Sequence, residues 1–299
     1  MANQSPIPVV LNPKARSELS GGLPARISKL SPRVKICPTE YAGHASEIAY
    51  NLVKEGHKMV VAAGGDGTVN EVANGLARAN IEMDRDFEED AALGVLPTGT
   101  MNVFAVELGF SPFDIGNCWR VIESGATRTV DLWKANDHLF VQLAGVGFDA
   151  EVIRGTSWER KKKYGPLGYA ITALSLIKGK HPELEVTVPG REPIKGATVL
   201  IGNGKRYGGP SKLFSDAIND DGLLDVIVMD GMGFGNLLRL LRAFAFQGFE
   251  SVEGVTYFQA SEFSVTGTEP IGLEIDGELV GETPVEFRPA ERKLKALAL

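Results

Sequence analysis

Residues 58–76, KMVVAAGGDGTVNEVANGL, constrain the fold more than any other stretch. Lys58–Ala63 reads as a buried strand, and Val69, Val72, Ala73 and Leu76 then fall at i, i+3, i+4 and i+7, which predicts a helix over Val69–Ala79. Thr68-x-x-Glu71 has the form of a capping box and places the helix start at Thr68. Between strand and helix, Gly64, Gly65 and Gly67 leave a turn with almost no side chains. Such a turn either needs its glycines for their dihedrals alone, or presents backbone N–H groups at a helix N-terminus as a phosphate cradle. Asp66 would repel a bare phosphate. A carboxylate makes sense there if a metal bridges it to the phosphate, or if it orients a hydroxyl that attacks one.

The surrounding pattern fixes the class. Ile7–Leu11, Val34–Cys37, Lys58–Ala63 and Ala92–Leu96 are short apolar runs, and helical spacing recurs at Leu23–Leu30, Ala45–Lys54, Val69–Ala79 and Met101–Glu107. Strands separated by helices imply a parallel sheet with crossovers. Two more turns follow strands: LNPKAR, with Asn12, Lys14 and Arg16, and LPTGTMNVFA, with Thr98, Gly99, Thr100 and Asn102. Three such turns at one end of a parallel sheet flank the crevice where these sheets bind ligands, and they favour a nucleotide. The acidic segment Glu82–Asp90 reads as a solvated loop.

From about Thr129 the rhythm changes. Thr129–Lys134, His138–Leu143, Leu184–Val188, Ala197–Ile201, Leu223–Met229, Val255–Gln259, Glu262–Val265 and Gly272–Ile275 are short strand-like runs divided by turn residues. They predict a β-sandwich, interrupted by helices at Gly168–Lys178 and Phe234–Phe246. The net charge of −7 argues against a general nucleic-acid binder. Cys37 and Cys118 are far apart and read as thiols rather than a disulfide or zinc site. The N-terminus lacks a signal-peptide pattern, and no apolar run reaches the roughly 20 residues a bilayer span needs. The expectation is a cytoplasmic chain, or one resting on a membrane surface.

In this order, VLNPKA, TEYAGHA, GGDGTVNEV and LPTGTMNVFA resemble the diacylglycerol kinase catalytic family, which includes bacterial soluble diacylglycerol kinases, YegS-like lipid kinases, and sphingosine and ceramide kinases. The resemblance continues through AGVGFDAEV, KKKYGPLGY, NGKRYGG, DDGLLDV and EIDGE, nearly the whole chain. It implies a Rossmann-like α/β nucleotide-binding domain over 1–130, related to NAD kinase and phosphofructokinase, and a β-sandwich lipid-substrate domain over 131–290. Residues 291–299 would return as a strand to the first domain, with the active site between the two.

By motif, the resemblance implies that ATP contacts Asn12, Pro13, Lys14, Ala15, Arg16, Thr39, Gly65, Asp66, Gly67, Thr68, Val69, Asn70, Glu71 and Thr100. Asp66 resembles the aspartate that orients the catalytic metal and substrate, and Glu278 the general base that deprotonates the attacking hydroxyl. Without the resemblance, Glu278 reads as an exposed turn glutamate. Asp221, with the carbonyls of Leu223 and Ile218, resembles a Mg²⁺ site of hard oxygen ligands; by itself, DDG is a β-turn signal. Lys161 matches a basic residue that neutralises phosphate charge, with Lys162 and Lys163 leaving the register open. Two departures stand out. NPKARS puts Ser17 near a position where the family has lysine, and Asn102-Val103 replaces a common Asn-Asp pair.

The implied activity is ATP- and Mg²⁺-dependent transfer of the γ-phosphoryl group to diacylglycerol or a related lipid. Ser157–Lys180 joins a basic cluster to aromatic residues and suits either an anionic membrane surface or an ordinary packed helix. Asn236–Phe246 reads as a buried helix or as a wall of an acyl pocket. A homodimer is compatible with the sequence. The rivals are a kinase of a soluble alcohol, similar to NAD kinase, and a lipid- or nucleotide-binding regulator without catalysis.

Overall fold

The computed structural model describes residues 5–13, 22–155, 182–209, 211–231 and 253–298. Its contacts divide the chain into two compact units, Met1–Val130 with Glu291–Leu299, and Asp131–Ala290.

In the first unit, β1 (Ile7–Leu11), α1 (Leu23–Ser28), β2 (Val34–Pro38), α2 (His44–Lys54), β3 (Met59–Gly64), α3 (Asp66–Glu82) and β4 (Ala92–Pro97) alternate as the periodicity predicts. Then come α4 (Val103–Glu107), α5 (Ile115–Ser124) and β5 (Thr127–Val130). The last strand of the chain, β18 (Leu294–Leu297), completes a six-stranded sheet ordered β2-β1-β3-β4-β18-β5. It pairs parallel to β4 and antiparallel to β5. Every residue of β1 and β4 is buried, the pattern of parallel strands covered on both faces. Helices α2 and α3 pack so closely that a Cβ at Gly75 would lie 2.3 Å from the Ser46 carbonyl oxygen.

Three local expectations need correction. Helix α3 begins at Asp66, not Thr68, after Gly65 in extended conformation, and no side chain caps it. Thr68 is inside the helix and buried, and Glu71 accepts hydrogen bonds from Gly43 N (2.9 Å) and Ala45 N (3.0 Å) at the start of α2. A longer-range acceptor role has displaced the local box. Helix α4 begins at Val103 because Asn102 takes the left-handed conformation (φ 53°). The acidic segment is only partly solvated: Glu82 ends α3, Phe87–Glu89 form a 3₁₀ turn, and Asp90 is buried against Arg292, whose Nη2 donates to Asp90 Oδ1 at 2.7 Å. Arg292 also bonds the Arg85 carbonyl, and Lys295 bonds that of Glu88, so β18 and the stretch leading into it hold this segment.

The second unit runs β6 (Trp133–Ala135), β7 (His138–Phe140), β8 (Leu143–Gly147), α6 (Phe148–Gly155), β9 (Leu184–Thr187), β10 (Ile194–Gly196) and β11 (Thr198–Gly202). It continues with β12 (Leu224–Met229), β13 (Val255–Ala260), β14 (Phe263–Gly267), β15 (Gly272–Ile275), β16 (Glu278–Glu282) and β17 (Val285–Pro289). The strands form two six-stranded sheets, β10-β9-β14-β17-β6-β7 and β13-β12-β11-β8-β15-β16. Trp133, Phe140, Val186, Phe263, Val265 and Phe287 from one sheet share a core with Val146, Val199, Val226, Val228 and Leu273 from the other, the cross-section of a sandwich. Strand β12 is buried along its whole length because its outward residues Ile227 and Met229 meet Phe148, Val152 and Phe214 in a second cluster. Two runs expected as single strands are divided. Thr129–Lys134 splits into β5 and β6, in different units, and His138–Leu143 splits into β7 and the start of β8. The helices expected at Gly168–Lys178 and Phe234–Phe246 lie outside the described residues.

Candidate active site

In the first unit, β1, β3 and β4 deliver three turns to the same end of the sheet. Asn12 N donates to Ala63 O (3.1 Å) and Thr98 N to Gly64 O (3.1 Å), so the strand ends are level. Above them two glycine turns touch backbone to backbone. A Cβ built on Gly99 would lie 2.2 Å from Gly65 Cα, and one on Gly64 would lie 2.4 Å from Thr68 Cβ. Glycine is therefore required at these positions by close approach. The side chain of Asn102 closes the second turn, accepting from Gly99 N (2.8 Å) and donating to Gly99 O (3.0 Å). Asn12 Nδ2 donates to Thr68 Oγ1 at 3.3 Å and links the first turn to α3. The first N–H groups of a helix have no partner within it, so the start of α3 offers donors to an anion.

Asp66 occupies the first position of α3, and its Oδ1 accepts the N–H of Phe104 at the start of α4 (3.2 Å). Burial pushes its carboxyl up to about 6, against the opposing pull of backbone N–H groups from Phe104 and its neighbours. Other residues of the expected nucleotide set divide clearly. Gly65, Gly67, Thr68 and Asn12 surround the turn, Thr100 is exposed at its rim, and Thr39 N is tied to Leu11 O beside it (2.9 Å). Val69 has its side chain in the core and its N–H bonded to Gly65 O. Asn70 accepts from the Asn74 side chain, and Glu71 faces α2 as described. Lys14, Ala15 and Arg16 are outside the described residues, as is Lys161.

In the second unit, Ile275-Asp276-Gly277-Glu278 is a two-residue hairpin turn with Ile275 paired to Glu278. Positive φ at Asp276 (46°) and Gly277 (87°) is what a type I′ turn demands, and Asp-Gly supplies it. Asp276 is buried and accepts from Val141 N (3.2 Å) and Leu143 N (3.0 Å), so this carboxylate fixes the turn while Glu278 stands exposed beyond it. The DDG segment is also anchored. Asp131 Oδ2 accepts from Gly222 N at 2.6 Å, Asp131 N donates to Asn219 O, and Asp221 Oδ1 accepts from Leu223 N at 3.0 Å. Ile218 is half exposed beside it. Among the described residues, no three acidic, histidine or cysteine side chains gather as a metal site. Sequence reasoning missed the supports Asp131 and Asp276; the Asp-Gly pair was the one available signal.

The comparisons agree with this architecture. The family described as the diacylglycerol kinase catalytic domain matches residues 6–135, and the YegS C-terminal NAD kinase beta sandwich-like domain matches residues 142–298. A diacylglycerol kinase from Staphylococcus aureus (strain JH9) is 29% identical over 297 residues, covering 97% of this chain and 91% of the relative. One from Bacillus subtilis (strain 168) is 29% identical over 253 residues, covering 83% and 80%. A solved structure of a diacylglycerol kinase from Bacillus anthracis str. Sterne aligns with a TM-score of 0.74 at 21% identity, over all of this chain and 98% of its own. The match to a kinase catalytic-domain model and the diacylglycerol kinases among the relatives support a phosphotransferase with an alcohol group as acceptor. The chain belongs to the diacylglycerol kinase catalytic family, in the branch that carries the YegS-type C-terminal domain.

Proposed function

We propose that this protein transfers the γ-phosphoryl group of ATP to the hydroxyl of diacylglycerol or a closely related lipid. The observation that carries the reading is the side-chain-free turn at Gly65 before α3, packed backbone to backbone on Gly99, with Asp66 beside it at the helix start. Asn12, Thr39, Gly65, Gly67, Thr68 and Thr100 surround the phosphates and ribose. Lys14, Arg16 and Lys161 contribute positive charge, and Pro13 and Ala15 complete the ATP contacts of the first motif.

Phosphoryl transfer is positioning plus charge neutralisation. Asp66 orients the reacting end of the nucleotide, and Glu278 takes the proton of the lipid hydroxyl. That oxygen then bonds to the γ-phosphorus as the bond to ADP breaks. Mg²⁺ bound to the phosphates would neutralise developing charge. Such a cation needs only one or two carboxylates besides phosphate oxygens, so Asp66 fits it without a larger acidic cluster. Asp221 and the carbonyls of Leu223 and Ile218 would supply oxygen donors to a second Mg²⁺, on a segment Asp131 holds in place. No helix among the described residues is long and apolar enough to cross a membrane. The proposal itself, a lipid acceptor, calls for peripheral contact with a membrane surface.

The test is a transfer assay with Mg²⁺ and γ-labelled ATP, offering lipid extract in mixed micelles and, separately, a pool of polar metabolites. Label in the organic phase supports the proposal, and label only in a polar product overturns it in favour of a soluble-alcohol kinase. Glu278→Gln is expected to abolish transfer while ATP binding stays nearly intact. Equal loss of ATP binding would refute its role as base.

A further inference from the structure

The segment between β2 and α2 carries an aromatic pair that the phosphate-binding reading does not use. The rings of Tyr41 and His44 stack with centroids 4.4 Å apart and planes within 3°. One face of Tyr41 rests on His44, yet the residue is 53% exposed, among the largest exposures of any big hydrophobic or aromatic residue described. This is not a loose surface tyrosine. Its hydroxyl donates to Glu47 Oε2 (2.8 Å), and His44 Nδ1 accepts from Glu40 N (3.1 Å). Glu71 takes the N–H groups of Gly43 and Ala45, and Thr39 N is tied to the end of β1. A ring immobilised by so many neighbours and still open on one face is preorganised to receive another flat group.

Its place in the sheet says which group. The segment leaves the same end of the sheet as the Gly65 turn, from β2, two strands from β3. Two strand spacings are roughly 9–10 Å, about the reach from the phosphates of a nucleotide to its base. Glu71 belongs to α3, the helix that begins at the phosphate turn, so one rigid element fixes both the turn and the ring. We infer that the Tyr41–His44 pair is the base platform of the nucleotide site: a purine stacks on the open face of Tyr41, and Glu71 is the positioning residue that holds the platform in register with the phosphate turn. This rests on the nucleotide-binding reading above. Stacking recognises a flat π-face rather than a hydrogen-bond pattern, so the platform favours the larger purines over pyrimidines without separating adenine from guanine.

The test uses the full chain with Tyr41→Ala and Tyr41→Phe, titrated with Mg-ATP and, separately, with inorganic tripolyphosphate. Tyr41→Ala is expected to weaken ATP about tenfold, a value within the range of base–aromatic stacking, and to leave tripolyphosphate affinity unchanged. Tyr41→Phe keeps the ring and is expected to bind ATP within about twofold of the parent. Unchanged ATP affinity in Tyr41→Ala overturns the platform, as does an equal loss for both ligands, which would mean that the ring merely supports the segment. A parent protein that binds tripolyphosphate no more weakly than ATP also overturns it. Failure of the parent to bind either ligand removes the nucleotide reading itself, a separate result.

Discussion

Replacing Asp66 by asparagine is expected to stabilise the unliganded protein while destroying its activity. The carboxyl is held near 6 in the folded chain, against an ordinary value of 3.8, chiefly because burial penalises its charged form. A raised acid contributes its stability fully below the unfolded value, and that contribution is lost as pH climbs through the folded value. Ionised Asp66 therefore costs stability increasingly between about pH 4 and 6 and constantly above. A shift of about two units is worth about 3 kcal/mol as an upper bound. Water reaching the partly exposed residue reduces that figure, and asparagine makes a weaker bond to Phe104 N, by about 1 kcal/mol. The net gain at pH 8 is about 1–2 kcal/mol, or a rise of about 2–8 °C in the melting temperature. Scanning calorimetry of both proteins between pH 4 and 8 measures it. The difference between them must grow with pH through this window and flatten above about 6.5. A pH-independent difference, or a variant less stable at pH 8, would refute the reasoning. The kcat/KM of the parent for ATP, which reports the unliganded protein, is expected to rise over the same range as Asp66 ionises.

Two further outcomes concern the scaffold. Gly75→Ala puts a methyl group 2.3 Å from the Ser46 carbonyl oxygen and 2.9 Å from Ala49 Cβ, so α2 and α3 must move apart. A loss of about 1–3 kcal/mol in urea unfolding is expected, and no loss would mean that the helices are not packed as described. Arg292→Met leaves Asp90, 4% exposed, without its guanidinium partner. Urea unfolding should show a loss of about 3–5 kcal/mol, and adding Asp90→Asn should recover part of it, because the cost is an uncompensated buried charge.

The α/β unit was legible because its signals are periodic and local. Strands β1, β3 and β4 are unbroken apolar runs, and α2 and α3 carry regular apolar spacing. Helix α5 escaped notice although Asp114 caps it and Gly125 ends it, because Gly116 and Asn117 weaken the helical pattern in its first turn. The start of α4 was misplaced for a local reason, the left-handed Asn102, but the other errors come from partners far away in sequence. Thr68-x-x-Glu71 has the local form of a capping box, but α2 supplies better donors for Glu71. Glu82–Asp90 looks solvated until Arg292, some two hundred residues on, reaches Asp90. Asp131 gives no local hint that it holds the DDG segment, since that role exists only once the sandwich has formed. Of the site itself, the glycine turns and the Asp-Gly hairpin could be read directly, because their backbone geometry demands particular residues.

The Asn102-Val103 departure acquires a physical meaning from Asp66. A second carboxylate at 103 would enter the first turn of α4, where Asp66 already takes the N–H of Phe104. Two acids so close would each raise the other's protonation range, and an approaching cation would be needed to hold both charged. Here Val103 is 3% exposed and packs in the core, while the Asn102 amide is spent closing the Gly99 turn. Asp66 thus lacks that neighbouring charge, and its elevation comes from burial first. A cation arriving with the phosphates would favour its ionised form and offset the burial cost. That linkage gives the carboxylate a reason to persist at a bare, phosphate-ready turn: what is unfavourable in the unliganded protein becomes favourable when metal and phosphate arrive together.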